Sequence, residues 1–220
     1  RSGDFVAPLI AYAPKDVARE FLAATSYRKL HLGYDASVMA GWLNADAAPS
    51  RDGVMRLNPA LAFPLPSAAF SCIYSNHHLQ NSSLEDGLHI LRECRRILKI
   101  GGVMRIATLD RRRIATLAGD DLDAEAEAAR AWFIDEYLPD RPAVDGPTVV
   151  SAIVHSFGHR FLFDRQSLEA LARKAGFIAL EWTELGASEH PALQRIDGAG
   201  IDGAARFNKY LTMVLELTKI

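Results

Sequence analysis

Apolar positions recur along the chain in short strand-like runs separated by stretches of helical spacing. Val17, Phe21 and Leu22 share one face of a predicted helix over 14–24. Leu30-His31-Leu32 reads as a short strand stopped by Gly33, Trp42 to Ala45 as a second ending at Asp46, and Val54 to Leu57 as a third. The stretch Phe63-Pro64-Leu65-Pro66 is excluded from a central strand, because proline donates no ladder hydrogen bond. Phe70 to Tyr74 has the character of a fully buried strand. A helix over 84–98 follows, with Leu88, Leu91, Cys94, Arg95 and Leu98 on one side, Ser83 as its N-cap and Gly101-Gly102 as its stop. Val103 to Thr108 is the next strand, with Asp110 just beyond it. Residues 111–138 are helical in composition, and over 138–160 the periodicity dissolves around proline and glycine. Phe163-Asp164 opens a helix over 165–174 closed by Gly176. A strand over 177–184, a polar excursion over 186–203 and a last strand over 209–218 complete the chain. Strands alternating with helices predict an α/β fold with a largely parallel sheet.

A length of 220 residues suits one sizeable core, so a single domain over 1–220 is expected. Residues 1–27 would form a helical lead-in. The hydrophobic and charged fractions of 49% and 24% are those of a globular protein, and the net charge of −2 offers no basic face for nucleic acid. The cluster Arg111-Arg112-Arg113 reads as a solvated loop after a strand. No apolar run approaches the ~20 residues that cross a bilayer. Arg1-Ser2-Gly3 has neither methionine nor a secretory apolar region and reads as a trimmed end. Cys72 and Cys94 lack metal or redox spacing, and two buried thiols imply a reducing, cytoplasmic setting.

Certain strings carry a family resemblance. Lys29-Leu-His-Leu-Gly33 and Gly41-Trp-Leu-Asn-Ala-Asp46 are followed by Phe63-Pro-Leu-Pro66, Ser75-Asn-His-His-Leu79 and Arg92-Glu-Cys-Arg-Arg-Ile-Leu-Lys-Ile-Gly-Gly102. Gly158-His-Arg-Phe-Leu-Phe-Asp164 and Leu171 to Phe177 come later. In this order they resemble the small bacterial class I methyltransferases, over residues 28–220. The resemblance implies a Rossmann-like fold with a seven-stranded sheet in the order 3-2-1-4-5-7-6, strand 7 antiparallel and helices alongside. It also implies S-adenosylmethionine as cofactor and methyl transfer to a small molecule or a sugar hydroxyl. The cofactor would be held by Gly33, Tyr34 and Asp35 after strand one, Asp46 after strand two, Asn58 after strand three, and Asn76 and His77 after strand four. Asp46 would accept from the ribose hydroxyls and Asn58 would offer its carbonyl oxygen to the adenine amino group.

The string departs from the family in four places. The expected G-C-G reads Gly33-Tyr34-Asp35, and the acid after strand three is Asn58. L-E-H has become Leu79-Gln80-Asn81, and K-P-G-G has become Lys99-Ile100-Gly101-Gly102. These leave a second reading open, a methyltransferase fold that has lost its chemistry and serves as a scaffold or regulatory partner. A hydroxyl acceptor needs a base, for which His77, His155 and His159 are the candidates. Adjacent His77 and His78 would point to opposite sides of an extended segment, so one at most, His77, would face the cofactor. His155 and His159 have i, i+4 spacing, but no glutamate lies between them and Gly158 opposes a helix, so no metal site is expected. A segment over 138–160 would cover the acceptor. A nicotinamide site is disfavoured, because Gly33 stands without the rest of G-x-G-x-x-G and Asp46 comes too early.

Overall fold

A computed structural model of the chain describes residues 14–33, 38–141, 143–198 and 202–220. After helix α1 (Pro14–Ala24) come strands β1 (Lys29–Leu32), β2 (Leu43–Asp46), β3 (Met55–Arg56) and β4 (Phe70–Asn76). Helix α2 (Leu84–Ile97) leads directly into β5 (Leu98–Leu109). Four helices follow, α3 (Arg111–Thr116), α4 (Ala124–Tyr137), α5 (Gly146–Ser156) and α6 (Arg165–Lys174). The chain ends with β6 (Ala179–Thr183), α7 (Asp202–Leu211) and β7 (Thr212–Thr218).

The seven strands form one sheet in the order β3-β2-β1-β4-β5-β7-β6, with β7 antiparallel to both neighbours. This is the Rossmann-like order that the sequence resemblance implies. Leu30 pairs with Leu43 on one side and Ile73 on the other, Ile73 pairs with Met104, and Ile106 pairs with Leu215. All six are buried in one core with Ile90, Leu91 and Cys94 of α2 and Leu168 and Leu171 of α6. Strand residues of opposite parity, Cys72, Tyr74, Val103 and Val214, form a second core on the other face. That face is covered by Trp42 and by Leu193 and Ile196 of the stretch between β6 and α7. The third core, built from α3, α4, α5 and α7 around Phe133, Ile153, Phe207 and Leu211, caps the carboxyl end of β5.

Helix ends follow the side-chain chemistry. Ser83 accepts from the Asp86 amide at α2, and Asp164 and Ser167 form a reciprocal capping box at α6. Hydrogen bonds from the Ser167 amide, then from its hydroxyl and Arg111, hold the Asp164 carboxyl well below the usual carboxylate range. The proline-interrupted stretch 63–66 carries no strand and is clamped onto α2. Glu93 accepts from the Phe63 amide at 2.7 Å, while Arg96 donates to the Phe63 and Leu65 carbonyls at 2.9 Å each.

Four local expectations are corrected. Gly101-Gly102 lies inside β5, because α2 ends where Leu98 turns to extended backbone and pairs with Phe70. Arg111–Arg113 open α3 instead of a loop, and Arg111 bonds Asp164 at 2.6 Å. The segment 138–160 contains a helix of its own, α5, with Gly146 and Pro147 in its first turn. Proline is tolerated there because its missing amide would have had no partner. Gly146 is required by contact, since a Cβ would lie 2.6 Å or less from the Leu117 and Ala118 carbonyl oxygens. Finally, the polar excursion ends in α7, whose Phe207, Tyr210 and Leu211 are buried, and the last strand starts only at Thr212.

Candidate functional site

The short turn between β1 and β2 is held by two of the motif residues. Asn44 Oδ1 accepts from the Met39 amide at 2.9 Å, and its Nδ2 donates to the Met39 and Trp42 carbonyls at 3.1 Å. His31 Nδ1 lies 3.1 Å from the same Oδ1, so it is the protonated ring nitrogen. Both side chains are buried beneath the sheet edge, where they set the ends of β1 and β2.

Those ends open onto a cleft of about 460 Å³. Gly33, Asp46, Asn76, His77 and His78 form its sheet side, and Trp132, Tyr137, Ile153, Phe157, His159, Phe207 and Asn208 form its helical side. Gly33 has φ +82° and donates its amide to Ala45 at 3.1 Å. A Cβ on it would sit 2.3 Å from His78 Cβ, so only glycine fits. Asp46 accepts from the Ala48 amide through Oδ1 at 2.7 Å, and its Oδ2 makes no hydrogen bond among the described residues. Beside Asp46 and His78 lies a small recess walled by Leu57, Pro59, Phe63 and Ile90. Tyr34 and Asp35 lie outside the described residues.

Asn58 is not brought to the cleft. It is exposed, and the carbonyl oxygen expected to meet adenine instead accepts from the Ala60 amide at 2.9 Å, an Asx turn set up by Pro59. His155 is likewise exposed in the last turn of α5 and lines no part of the cleft. Gly158, at φ +70°, carries the chain past the helix end, so His155 and His159 share no helical face.

His77 and His78 depart from the expected alternation. His77 has φ +47°, and this break in the extended backbone lets both rings line the cleft. A relay of hydrogen bonds fixes the proton positions around them. Thr108 donates to Gln80 Oε1 at 2.5 Å, so Gln80 Nε2 faces His77 Nδ1 at 3.3 Å as donor. His77 Nε2 therefore carries the proton and donates to Thr212 Oγ1 at 3.2 Å. Both nitrogens are engaged, which suits a positioning role better than a base.

His159 is arranged the other way. Asn81 Nδ2 donates to the His77 carbonyl at 3.4 Å, turning Oδ1 towards His159 Nδ1 at 2.9 Å. Nδ1 is then the donor and Nε2 keeps its lone pair. That Nε2 is buried and has no hydrogen-bond partner among the described residues. Burial also holds the ring below the ordinary histidine pKa, so it is neutral near pH 7. The Gln80 carbonyl accepts from the Arg160 and Phe161 amides at 2.8 and 3.1 Å, fastening the His159 loop to the end of β4.

Residues 19–106 match the family model described as a methyltransferase domain. The matched stretch ends within β5 and carries Gly33, Asp46, Asn76 and His77. Solved structures of similar fold include an S-adenosylmethionine-dependent methyltransferase from Mesorhizobium loti, 17% identical, covering 92% of this chain and 97% of that one, with a TM-score of 0.48. A S-adenosylmethionine-dependent methyltransferase from Thermotoga maritima is 16% identical over 95% of this chain and 90% of its own, also at 0.48. Geranyl diphosphate C-methyltransferase from Streptomyces coelicolor A3(2) is 15% identical over 98% and 85%, again at 0.48. No curated protein sequence matches the chain.

The alternation of an extended segment turns His78 away from the cleft, and the sequence gives no role to Asn81 or to the aromatic wall. A positive φ at a histidine leaves no trace in the sequence, and Trp132, Tyr137, Phe157 and Phe207 are dispersed over 76 positions, from 132 to 207. Arg105 was passed over too. It reads as a polar slip in an apolar strand, yet it is wholly buried and binds Asp197 and Glu216.

Burial of histidines gives the site a pH signature. Burial lowers the pKa of His31, His78 and His159, against a partial upward pull of Asn44 and Asp46 on His31 and of Asp46 on His78. The unfolded chain therefore binds more protons than the folded one just below pH 6.5. Stability is full above about pH 6.5, the unfolded histidine value, and falls as the pH is lowered through it. Urea midpoints measured between pH 7.5 and 5 should decline on the acid side, and a flat or rising midpoint would contradict this.

Proposed function

We propose that the protein transfers a methyl group from S-adenosylmethionine to a small-molecule hydroxyl. The observation that carries this reading is the placement of Asp46, at the carboxyl end of β2, on the same cleft as Gly33, with one carboxylate oxygen that makes no hydrogen bond among the described residues. Crevices at strand carboxyl ends, where the strand order reverses, are where open α/β sheets bind nucleotides. A cleft of about 460 Å³ is within the usual range for such ligands, about 300–1,000 Å³.

The methyl donor is S-adenosylmethionine, which when bound supplies an electrophilic methyl carbon on a sulfonium. Asp46 accepts from the ribose hydroxyls, and the recess of Leu57, Pro59 and Phe63 offers an apolar wall to the base. Tyr34 and Asp35 keep their assignment to the amino-acid end by motif position. Asn76 and the backbone at His77 border the reacting centre. His159 accepts the acceptor's proton through Nε2, while the His77 backbone carbonyl holds the Asn81 side chain that orients it. The helical cap walls this half of the cleft with aromatic side chains.

The test is titration calorimetry with S-adenosylhomocysteine. Wild type should bind it, and Asp46→Ala should weaken binding by about 10- to 100-fold, the size of one or two hydrogen bonds to a charged group. No binding by the wild type at millimolar ligand would favour the scaffold reading left open by Gly33-Tyr34-Asp35.

A further inference from the structure

The half of the cleft away from Gly33 and Asp46 has a composition of its own. Phe207 and Trp132 are tilted with centroids 4.9 Å apart, Trp132 meets Tyr137 edge-on at 5.9 Å, and Tyr137 meets Phe157 edge-on at 5.1 Å. Phe157 then lies 5.8 Å from the His159 ring. These contacts make one continuous aromatic wall that ends at the base. Trp132, Tyr137 and Phe157 are not fully buried, and Tyr137 and Phe157 are 45% and 41% exposed, so the wall has a face left to cover.

Resting on the methyl-transfer reading above, we infer that the acceptor is an uncharged aromatic compound bearing a phenolic hydroxyl, seated on this wall with its oxygen at His159 Nε2. Charge argues for it first. Among the described residues that line the cleft, Asp46 is the only charged side chain and belongs to the other end. A phosphate or carboxylate acceptor would lack a cation, and a protonated amine would meet the imidazole without a counter-charge. Hydrogen bonding argues next. On this half Gln80 and Asn81 are already committed to Thr108, His77 and His159. Asn208, His159 Nε2 and the polar tips of Trp132 and Tyr137 are what remain on a wall otherwise made of ring faces and edges, on which an aryl ring stacks and needs a single partner. Acidity decides between hydroxyls. A phenol ionises near 10, as tyrosine does, within reach of a neutral imidazole. An aliphatic hydroxyl, near the value of about 16 for water, is not. In the step, the phenolic proton passes to His159 Nε2 and an oxygen electron pair forms the O–CH3 bond. The pair of the broken S–CH3 bond stays on sulfur.

The probe is 2-naphthol, titrated by calorimetry into wild type, Trp132→Ala and Phe157→Ala. It needs no cofactor for binding, so its result stands apart from the S-adenosylhomocysteine titration. Saturable binding weakened at least about fivefold in both variants is expected, with methyl α-glucoside and naphthalene-2-sulfonate at least about tenfold weaker than 2-naphthol. The half-exposed Phe157 serves as the second variant should Trp132→Ala fail to fold. With S-adenosylmethionine added, 2-methoxynaphthalene should appear. Failure of 2-naphthol to bind, binding that ignores both substitutions, a preference for the glucoside or the sulfonate, or binding without methylation would each overturn the inference. Absence of S-adenosylhomocysteine binding would instead fail the parent reading.

Discussion

Arg105→Ala is expected to lower stability by about 3–5 kcal/mol, because it leaves two buried carboxylates without their cation. The Arg105 side chain is fully buried at the centre of β5, between Asp197, at 1% exposure, and Glu216, at 4%. Its Nη1 also donates to Thr183 Oγ1 at 3.0 Å and to the Ala187 carbonyl at 2.8 Å, and its Nη2 to the Glu184 carbonyl at 3.2 Å. The ion cluster thus fastens the stretch after β6 to the face of the sheet which, among the described residues, that stretch covers together with Met39 and Trp42. For a chain of this size the loss corresponds to a fall of roughly 6–20 °C in the melting midpoint, at about 2–4 °C per kcal/mol. Thermal denaturation followed by circular dichroism reads it. The triple change Arg105→Met, Asp197→Leu, Glu216→Leu should recover most of that loss, since a buried ion cluster exchanged whole for apolar groups is often neutral. A single variant as stable as wild type would mean that water reaches the cluster.

His159→Gln is expected to reduce kcat with 2-naphthol by about 100- to 10,000-fold, the usual contribution of a general base, while S-adenosylhomocysteine affinity stays as in wild type. The pH profile separates this from a packing effect. Burial places the His159 pKa below the ordinary 6.5, and the base works only when unprotonated. Wild-type kcat/KM should therefore rise with pH along an acid limb centred below 6.5 and then level off, and the glutamine variant should lack that limb. His77→Gln should keep the limb, because Asn81 is held by the His77 backbone carbonyl, which the substitution leaves in place, and the His77 ring bonds Gln80 and Thr212. A limb retained in His159→Gln would move the base elsewhere.

Much of the sheet was legible because each strand signal is short-range. Leu30, Leu43, Ile73 and Ile106 stand in short apolar runs, those of Leu30, Leu43 and Ile106 followed by Gly33, Asp46 and Asp110, and they occupy four neighbouring buried strands as expected. Ser83 and Asp164 mark helix starts for the same reason, since a cap bonds amides only three residues away. Long-range contacts left no such trace. Asn44 reads as part of a motif, but its role as a bracket for Met39 and Trp42 depends on how tightly the turn closes. Gly146-Pro147 reads as a breaker, yet the carbonyls of Leu117 and Ala118 demand that glycine. At the site, Gly33, Asp46, Asn76 and His77 line the cleft, whereas Asn58 and His155 lie off it. The tautomers that separate His77 from His159 depend on Thr108, Gln80, Asn81 and Thr212, which meet only once the sheet and its cap are assembled.

The central claim is that one cleft holds the methyl donor at Gly33 and Asp46 and presents it to His159. A crystal structure with S-adenosylhomocysteine bound tests this most directly. The account predicts both ribose hydroxyls on the Asp46 carboxylate and the sulfur turned towards the half of the cleft that holds His159 Nε2. Ligand density that leaves Asp46 bonded to Ala48 alone, or a sulfur facing away from the aromatic wall, would contradict it.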